Sequence, residues 1–152
     1  MKSASTRRLV EIAADRGLQM EVSEFPDGTK TAADAAAAIG CDVAAIVKSL
    51  VFVVDGEPVV ALVPGDRRLD ADSLGAVAGG TQVARASLET VREATGYVAG
   101  GTPPFGHVTE LRVFADEGLR RHDPVWAAGG TPSTVFPISL EDLDRMSRPT
   151  WA

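Results

Sequence analysis

"SLVFVVDGEPVVALVPG", Ser49 to Gly65, is the stretch on which the fold turns. Two Val-rich runs flank Asp55-Gly56, a pair suited to the left-handed backbone of a two-residue hairpin turn. Both runs are apolar at nearly every position instead of alternating with polar residues. A strand of that kind has both faces covered, so this hairpin belongs at the centre of a sheet or in a closed barrel. Upstream, Asp42 is placed to cap a short helix over "VAAIVKS", and Thr31 to cap "AADAAAAIG" with Gly40 as its stop. Before these, "STRRLVEIAADRG" spaces Leu9, Ile12 and Ala13 on one helical face, "LQMEVSEF" alternates like a strand, and Pro26-Asp27-Gly28 forms a turn.

Downstream of the hairpin, Asp70 or Asp72 caps a helix in "LDADSLGAVAGG", and Ser87 caps "SLETVREATG". Short strands are expected in "TQVARA", in "VTELRVFADEGL" ending near Ala115, in "PVWAAGG" and in "STVFPIS". Ser139 caps a last helix, "LEDLDRMS", ahead of a polar tail. Helices and strands alternate irregularly around an antiparallel hairpin, which defines a mixed α+β fold. The 152 residues are 45% hydrophobic, enough for one domain with a core of its own, expected over 1–152.

Composition narrows the function. No apolar run approaches the roughly 20 residues of a membrane span, and no secretory leader is visible, so a cytoplasmic protein without a membrane partner is expected. One cysteine, Cys41, excludes an internal disulfide and a multi-cysteine zinc site. Cys41 is read as small core filling, with a nucleophile near a helix start as the alternative. His107 and His122 are far apart and lack a ligand spacing, so no metal is expected. A net charge of −6 opposes a general nucleic-acid coat while allowing a local basic patch.

Lys48 stands out as the one charge in "AAIVKSLVFVV". An ammonium at the edge of an apolar strand either snorkels to water or serves chemistry, by binding an anion or polarising a carbonyl. The tetrapeptide Gly-Gly-Thr-Pro occurs twice, at 100–103 and 129–132. Glycines let backbone N–H groups approach a ligand closely, and prolines hold the loop's shape; the plain alternative is a tight connector. His107, just past the first copy, is either structural or a hydrogen-bonding group at the same site.

Taken in order, "IVKSLVFVVDGEPVVALVPGDRRLD", "TGYVAGGTPPFGH" and "VWAAGGTPSTVFPIS" resemble the YbaK/prolyl-tRNA-synthetase-associated domain family, over about Glu21 to Met146. The family implies a barrel-like mixed sheet with flanking helices, and the hydrolysis of wrongly charged aminoacyl-tRNA. Carried over by position, Lys48 matches the lysine required for deacylation. Gly100, Gly101, Thr102, Pro103 and Pro104 match a GxxxP loop that approaches the aminoacyl carbonyl and the terminal adenosine. Gly129 and Gly130 match paired glycines lining the same pocket, and His107 adjoins it. On this resemblance Lys48, Gly100 and Gly101 are the catalytic candidates, and Thr102, Pro103, Pro104, His107, Gly129 and Gly130 the substrate-binding ones.

The resemblance further implies a free-standing trans-editing deacylase. It would remove a small amino acid (Cys, Ala, Ser or Thr) from tRNA, tRNA(Pro) first, without a cofactor. Its partners would be the aminoacyl-tRNA 3′ end and prolyl-tRNA synthetase, with monomer and homodimer both open. The competing class is a non-catalytic module of the same fold that binds a nucleotide or small ligand, or that accompanies a synthetase.

Overall fold

A computed structural model describes residues 3–25 and 31–152; the turn expected at Pro26-Asp27-Gly28 lies outside the described residues. These residues form five α-helices, α1 (Ala4–Asp15), α2 (Ala32–Ile39), α3 (Ala71–Ala78), α4 (Leu88–Thr95) and α5 (Leu140–Ser147). The eight strands are β1 (Ser23–Glu24), β2 (Ile46–Val54), β3 (Glu57–Pro64), β4 (Val83–Arg85), β5 (Val113–Ala115), β6 (Val125–Ala128), β7 (Thr134–Ile138) and β8 (Thr150–Trp151). Two 3-10 turns, Val43–Ala45 and Glu117–Arg121, complete the set.

The hairpin forms where its sequence places it. β2 and β3 pair antiparallel from Val54↔Glu57 to Val47↔Pro64. Asp55 and Gly56 both take positive φ, 49° and 84°, as the turn requires. The Asp55 carboxylate also accepts from the backbone N–H groups of Thr81 and Gln82, which ties the turn to the chain leading into β4. Helix caps follow side-chain chemistry: the hydroxyls or carboxylate of Ser3, Thr31, Asp70, Ser87 and Ser139 each accept from an N–H of the first turn.

The apolar runs of β2 and β3 are explained by two cores, one on each sheet face. Val47, Val51, Val60 and Leu62 join Leu9 and Ala13 of α1, Val91 of α4, and Leu143 and Met146 of α5. Phe52, Val54, Val59, Ala61 and Val63 join Leu74 of α3 and Phe114. Val59, Val60 and Leu62 have no exposed surface, and burying each contributes about 1.5–3 kcal/mol. A smaller cluster sets Ala35 and Ala36 of α2 on Ile46.

The sheet runs β1-β7-β6-β2-β3-β5-β8, with β4 added to β2. It is mixed, and among the described residues the ladder does not close into a barrel. Three local expectations change. The helix expected over "VAAIVKS" is only the turn Val43–Ala45, and Ile46 already opens β2. Non-local pairing to Pro64 and Ala127 holds Val47 extended against the short helical signal before it. In "LQMEVSEF" only Ser23–Glu24 is strand, although Met20 is buried in the core. The expected polar tail instead supplies β8, parallel to β5, where the Trp151 indole donates to Asp144 and stacks under Arg120.

Candidate active site

The long strand β2 has β3 along one edge and two short partners on the other. β6 pairs with Ile46 and Val47, and β4 with Phe52 to Val54. Between them lie Lys48, Ser49 and Leu50, and there a cavity of about 250 Å³ opens. Its wall includes these three residues, Thr31, Ala32 and Ala35 beside α2, Trp126 to Ala128 of β6, Arg85 of β4, and Gly100, Thr102, Pro132 and Thr134.

Lys48 is half-buried, and its Nζ donates to the Arg67 carbonyl at 2.6 Å. One acceptor leaves two of its three N–H donors for a ligand. Burial depresses its pKa first, Arg85 and Arg68 add to the depression, and Asp66 opposes it. Three cationic groups therefore share one neighbourhood in a chain of net charge −6. Among the described residues no carboxylate forms an ion pair with Arg85 or Arg68, whereas Arg67 is held by Asp116 at 3.0 Å.

The two Gly-Gly-Thr-Pro segments lie against each other. A Cβ on Gly101 would stand 2.7 Å from the Thr131 Cα and carbonyl carbon, so only glycine lets these backbones meet. Gly100, at φ +85°, faces Pro132. The Gly101 N–H donates to Val98 O at 3.0 Å, which satisfies it inside the loop. Of the glycine pair, Gly100 is the exposed one, and its N–H has no acceptor among the described residues. In the second copy, the Thr6 hydroxyl of α1 donates to Gly129 O at 2.8 Å, and Gly130 packs on Ser5 and Thr6. Thr131 and Thr134 join hydroxyls at 2.9 Å, closing the turn into β7.

Of the residues singled out from sequence, Lys48, Gly100 and Thr102 reach the cavity wall. Gly101, Pro103, Pro104, Gly129 and Gly130 are buried and not among its lining residues. His107 is also absent from the wall; its Nε2 bonds the Pro103 carbonyl at 2.8 Å, bracing the loop from within. Burial pushes its pKa down, the Pro103 carbonyl opposes that, and Arg16 adds to it. Cys41 is half-buried beside the α2 cluster, and burial raises its thiol pKa, which suits packing better than nucleophilic attack. Sequence reasoning passed over Ser49, Arg85 and Trp126. An exposed arginine or a lone tryptophan carries no periodic signal, and only the pairing of β4 and β6 to β2 brings them here.

A wider cavity of about 450 Å³ lies between α3 and the 3-10 turn Glu117–Arg121, lined by Arg67, Arg68, Phe114 and Asp116. It holds neither glycine segment, and the Lys48–Arg67 hydrogen bond is its link to the smaller one. Among the described residues, no group of three or more His, Cys, Asp or Glu could hold a metal, and no helix is long and apolar enough to cross a membrane.

A mixed sheet with a lysine and two facing glycine turns at a gap in one strand edge defines the class, and comparison with known proteins agrees. The chain belongs to the aminoacyl-tRNA editing domain family, whose model matches residues 26–146. It superposes at a TM-score of 0.94, with 40% identity, on a solved structure described as a candidate trans-editing enzyme for prolyl tRNA synthetase, covering 100% of this chain and 97% of that one. It is 37% identical to the proline–tRNA ligase of Maridesulfovibrio salexigens over 83% of this chain and 23% of that protein. It is 29% identical to EbsC of Enterococcus faecalis, named as a candidate Cys-tRNA(Pro)/Cys-tRNA(Cys) deacylase, over 74% of this chain and 70% of EbsC. The chain thus spans less than a quarter of the length of the proline–tRNA ligases it matches.

Proposed function

We propose that residues 1–152 act as one editing domain, a free-standing cytoplasmic aminoacyl-tRNA deacylase that hydrolyses the ester joining a small, wrongly attached amino acid to tRNA, tRNA(Pro) first. The observation that carries this reading is the meeting of Lys48, Gly100 and Thr102 at one small cavity bordered by Arg85. Water adds to the ester carbonyl carbon, and negative charge grows on the carbonyl oxygen. The Lys48 ammonium and the Gly100 N–H are the donors placed to hold that charge. Collapse breaks the bond to the ribose oxygen, which takes the proton from the attacking water, leaving a free amino acid and an intact tRNA 3′ hydroxyl.

The amino acid meets the part of the cavity wall formed by Ala127, Ala128 and Val135, where the backbone and short side chains set a size sieve. Gly101, Gly129 and Gly130 serve by absence, allowing the two turns and α1 to close together behind that wall. Pro103, Pro104 and His107 keep the first turn rigid, so little ordering remains to be done on binding. The relatives' names favour prolyl-tRNA synthetase as the enzyme whose errors are corrected.

The test is deacylation of tRNA(Pro) charged with Ala, Cys or Pro, and of tRNAs charged with Ser or Thr. One mischarged species should be consumed selectively. Lys48→Ala should lower its kcat by roughly 100- to 1,000-fold, the scale of one lost oxyanion donor. Lys48→Arg should not restore it, because a planar fork replaces a point charge. Survival of every species, with prolyl-tRNA synthetase added, would overturn the reading.

A further inference from the structure

Trp126 is the one aromatic side chain in the wall of the Lys48 cavity among the described residues. β6 runs parallel to β2 with Trp126 opposite Ile46, and paired residues of neighbouring strands share a sheet face. Ile46 and Lys48 are two apart on β2, so the Trp126 indole and the Lys48 side chain stand on the same face. The indole is only partly buried and packs against the cluster of Ala35, Ala36 and Ile46. Pro132, exposed, borders the same cavity. The Trp126 N–H donates to no described residue, whereas that of Trp151 is engaged by Asp144.

We infer that Trp126 is the stacking platform for the adenine of the tRNA 3′ terminus; the inference rests on the editing function proposed above. The ester to be cleaved sits on the ribose of that terminal nucleoside, so its base must lie within one sugar's reach of the reacting carbonyl. A partly exposed indole in the cavity that holds Lys48 and Gly100 meets that constraint. Arg85 on the rim, with no ion pair among the described residues, supplies positive charge for the phosphate that follows. Base–aromatic stacking tolerates any base and contributes substantially for each one stacked, which gives an acidic protein affinity that does not depend on a broad basic surface. The amino acid then occupies the glycine-lined side, and the base the α2 side.

The chain has two tryptophans, so Trp151→Phe leaves Trp126 as the sole indole reporter. In that background the ribotrinucleotide CCA should quench the emission, and the same RNA ending in an abasic ribose should quench it far less. Trp126→Leu retains apolar bulk against α2 but has no π face, and Trp126→Phe retains a smaller one. With uncharged tRNA(Pro) as the probe, followed by its displacement of a labelled CCA strand, Trp126→Leu should weaken binding by roughly 5- to 150-fold. Trp126→Phe should lose less, and both should melt as cooperatively as the parent. In deacylation the loss for Trp126→Leu should appear in KM, with kcat at saturation little changed. Equal quenching by the abasic strand, or an unchanged affinity and KM in Trp126→Leu, overturns the stacking assignment while leaving deacylation standing. Absence of deacylation in the wild-type protein overturns the editing function instead, whatever the quenching shows.

Discussion

Gly101→Ala tests whether the two glycine turns must touch for the site to exist. The added Cβ would sit 2.7 Å from the Thr131 Cα and carbonyl carbon and 3.0 Å from the Pro132 nitrogen, all backbone. No side-chain rotation relieves that, so the turns must part by about 0.7 Å to regain ordinary contact. Overpacking of this kind costs about 1–3 kcal/mol, or a fall in Tm of roughly 2–12 °C at this chain length. Because Gly100, Thr102 and Pro132 line the cavity, the same displacement misplaces the wall around the ester. Deacylation should fall tenfold or more in kcat/KM, a plausible scale for a sub-ångström shift when misplacement by 1 Å can cost about 100-fold. Two comparisons separate the causes. Gly79→Ala places a Cβ in open space at φ +77°, so it should show backbone strain of about 1–2 kcal/mol and full activity. Gly100→Ala, at φ +85° with its nearest neighbour 3.8 Å away, should match Gly79→Ala in stability yet lose activity. Thermal melts and single-turnover deacylation on the three variants read this out. A Gly101→Ala protein with parental Tm and parental kcat/KM would refute the contact as the reason for glycine.

His107 titrates against burial: its folded pKa is depressed, so the unfolded chain takes up a proton first as pH falls. Stability should therefore be fully present above the ordinary imidazole value of 6.5 and be lost below it, at no more than about 1.4 kcal/mol per pH unit. His107→Asn should flatten that part of the profile in denaturant melts, and parallel profiles for the two proteins would refute it. Ser49 has a buried hydroxyl with no hydrogen-bond partner among the described residues. Ser49→Ala should therefore keep or raise stability, by up to about 1–3 kcal/mol. A loss above 1 kcal/mol on the same melts would show that the hydroxyl has a partner after all.

The sequence by itself determined the elements whose signals are local. Asp55-Gly56 between two Val runs specifies the hairpin because a type I′ turn needs positive φ at both positions, and the β2–β3 ladder forms in that register. Thr31, Ser87, Ser139 and the pair Asp70 or Asp72, of which Asp70 is the cap, mark their helices because a cap acts within one turn. Lys48 and the two Gly-Gly-Thr-Pro segments were legible as oddities, and their resemblance to a known family was legible with them. Where signals were short, the chain ran differently: Ile46 and Val47 became strand, and Thr150–Trp151 left the expected tail to pair with β5. In both cases backbone partners far away in sequence supply the hydrogen bonds that decide the conformation.

Only the tertiary structure decided what the site is. That β6 and β4 share one edge of β2 and leave Lys48–Leu50 open between them follows from pairings far apart in the chain, Val54 with Val83 and Ile46 with Trp126 among them, which no local window of sequence contains. The same pairings bring Trp126 and Arg85 to the lysine and set Gly101 against Thr131, while placing His107 behind the wall as a brace. Local chemistry can say that a glycine permits close approach or that a lysine is costly to bury. Which backbone approaches, and what else stands around the ammonium, depends on contacts that exist only once the sheet has formed.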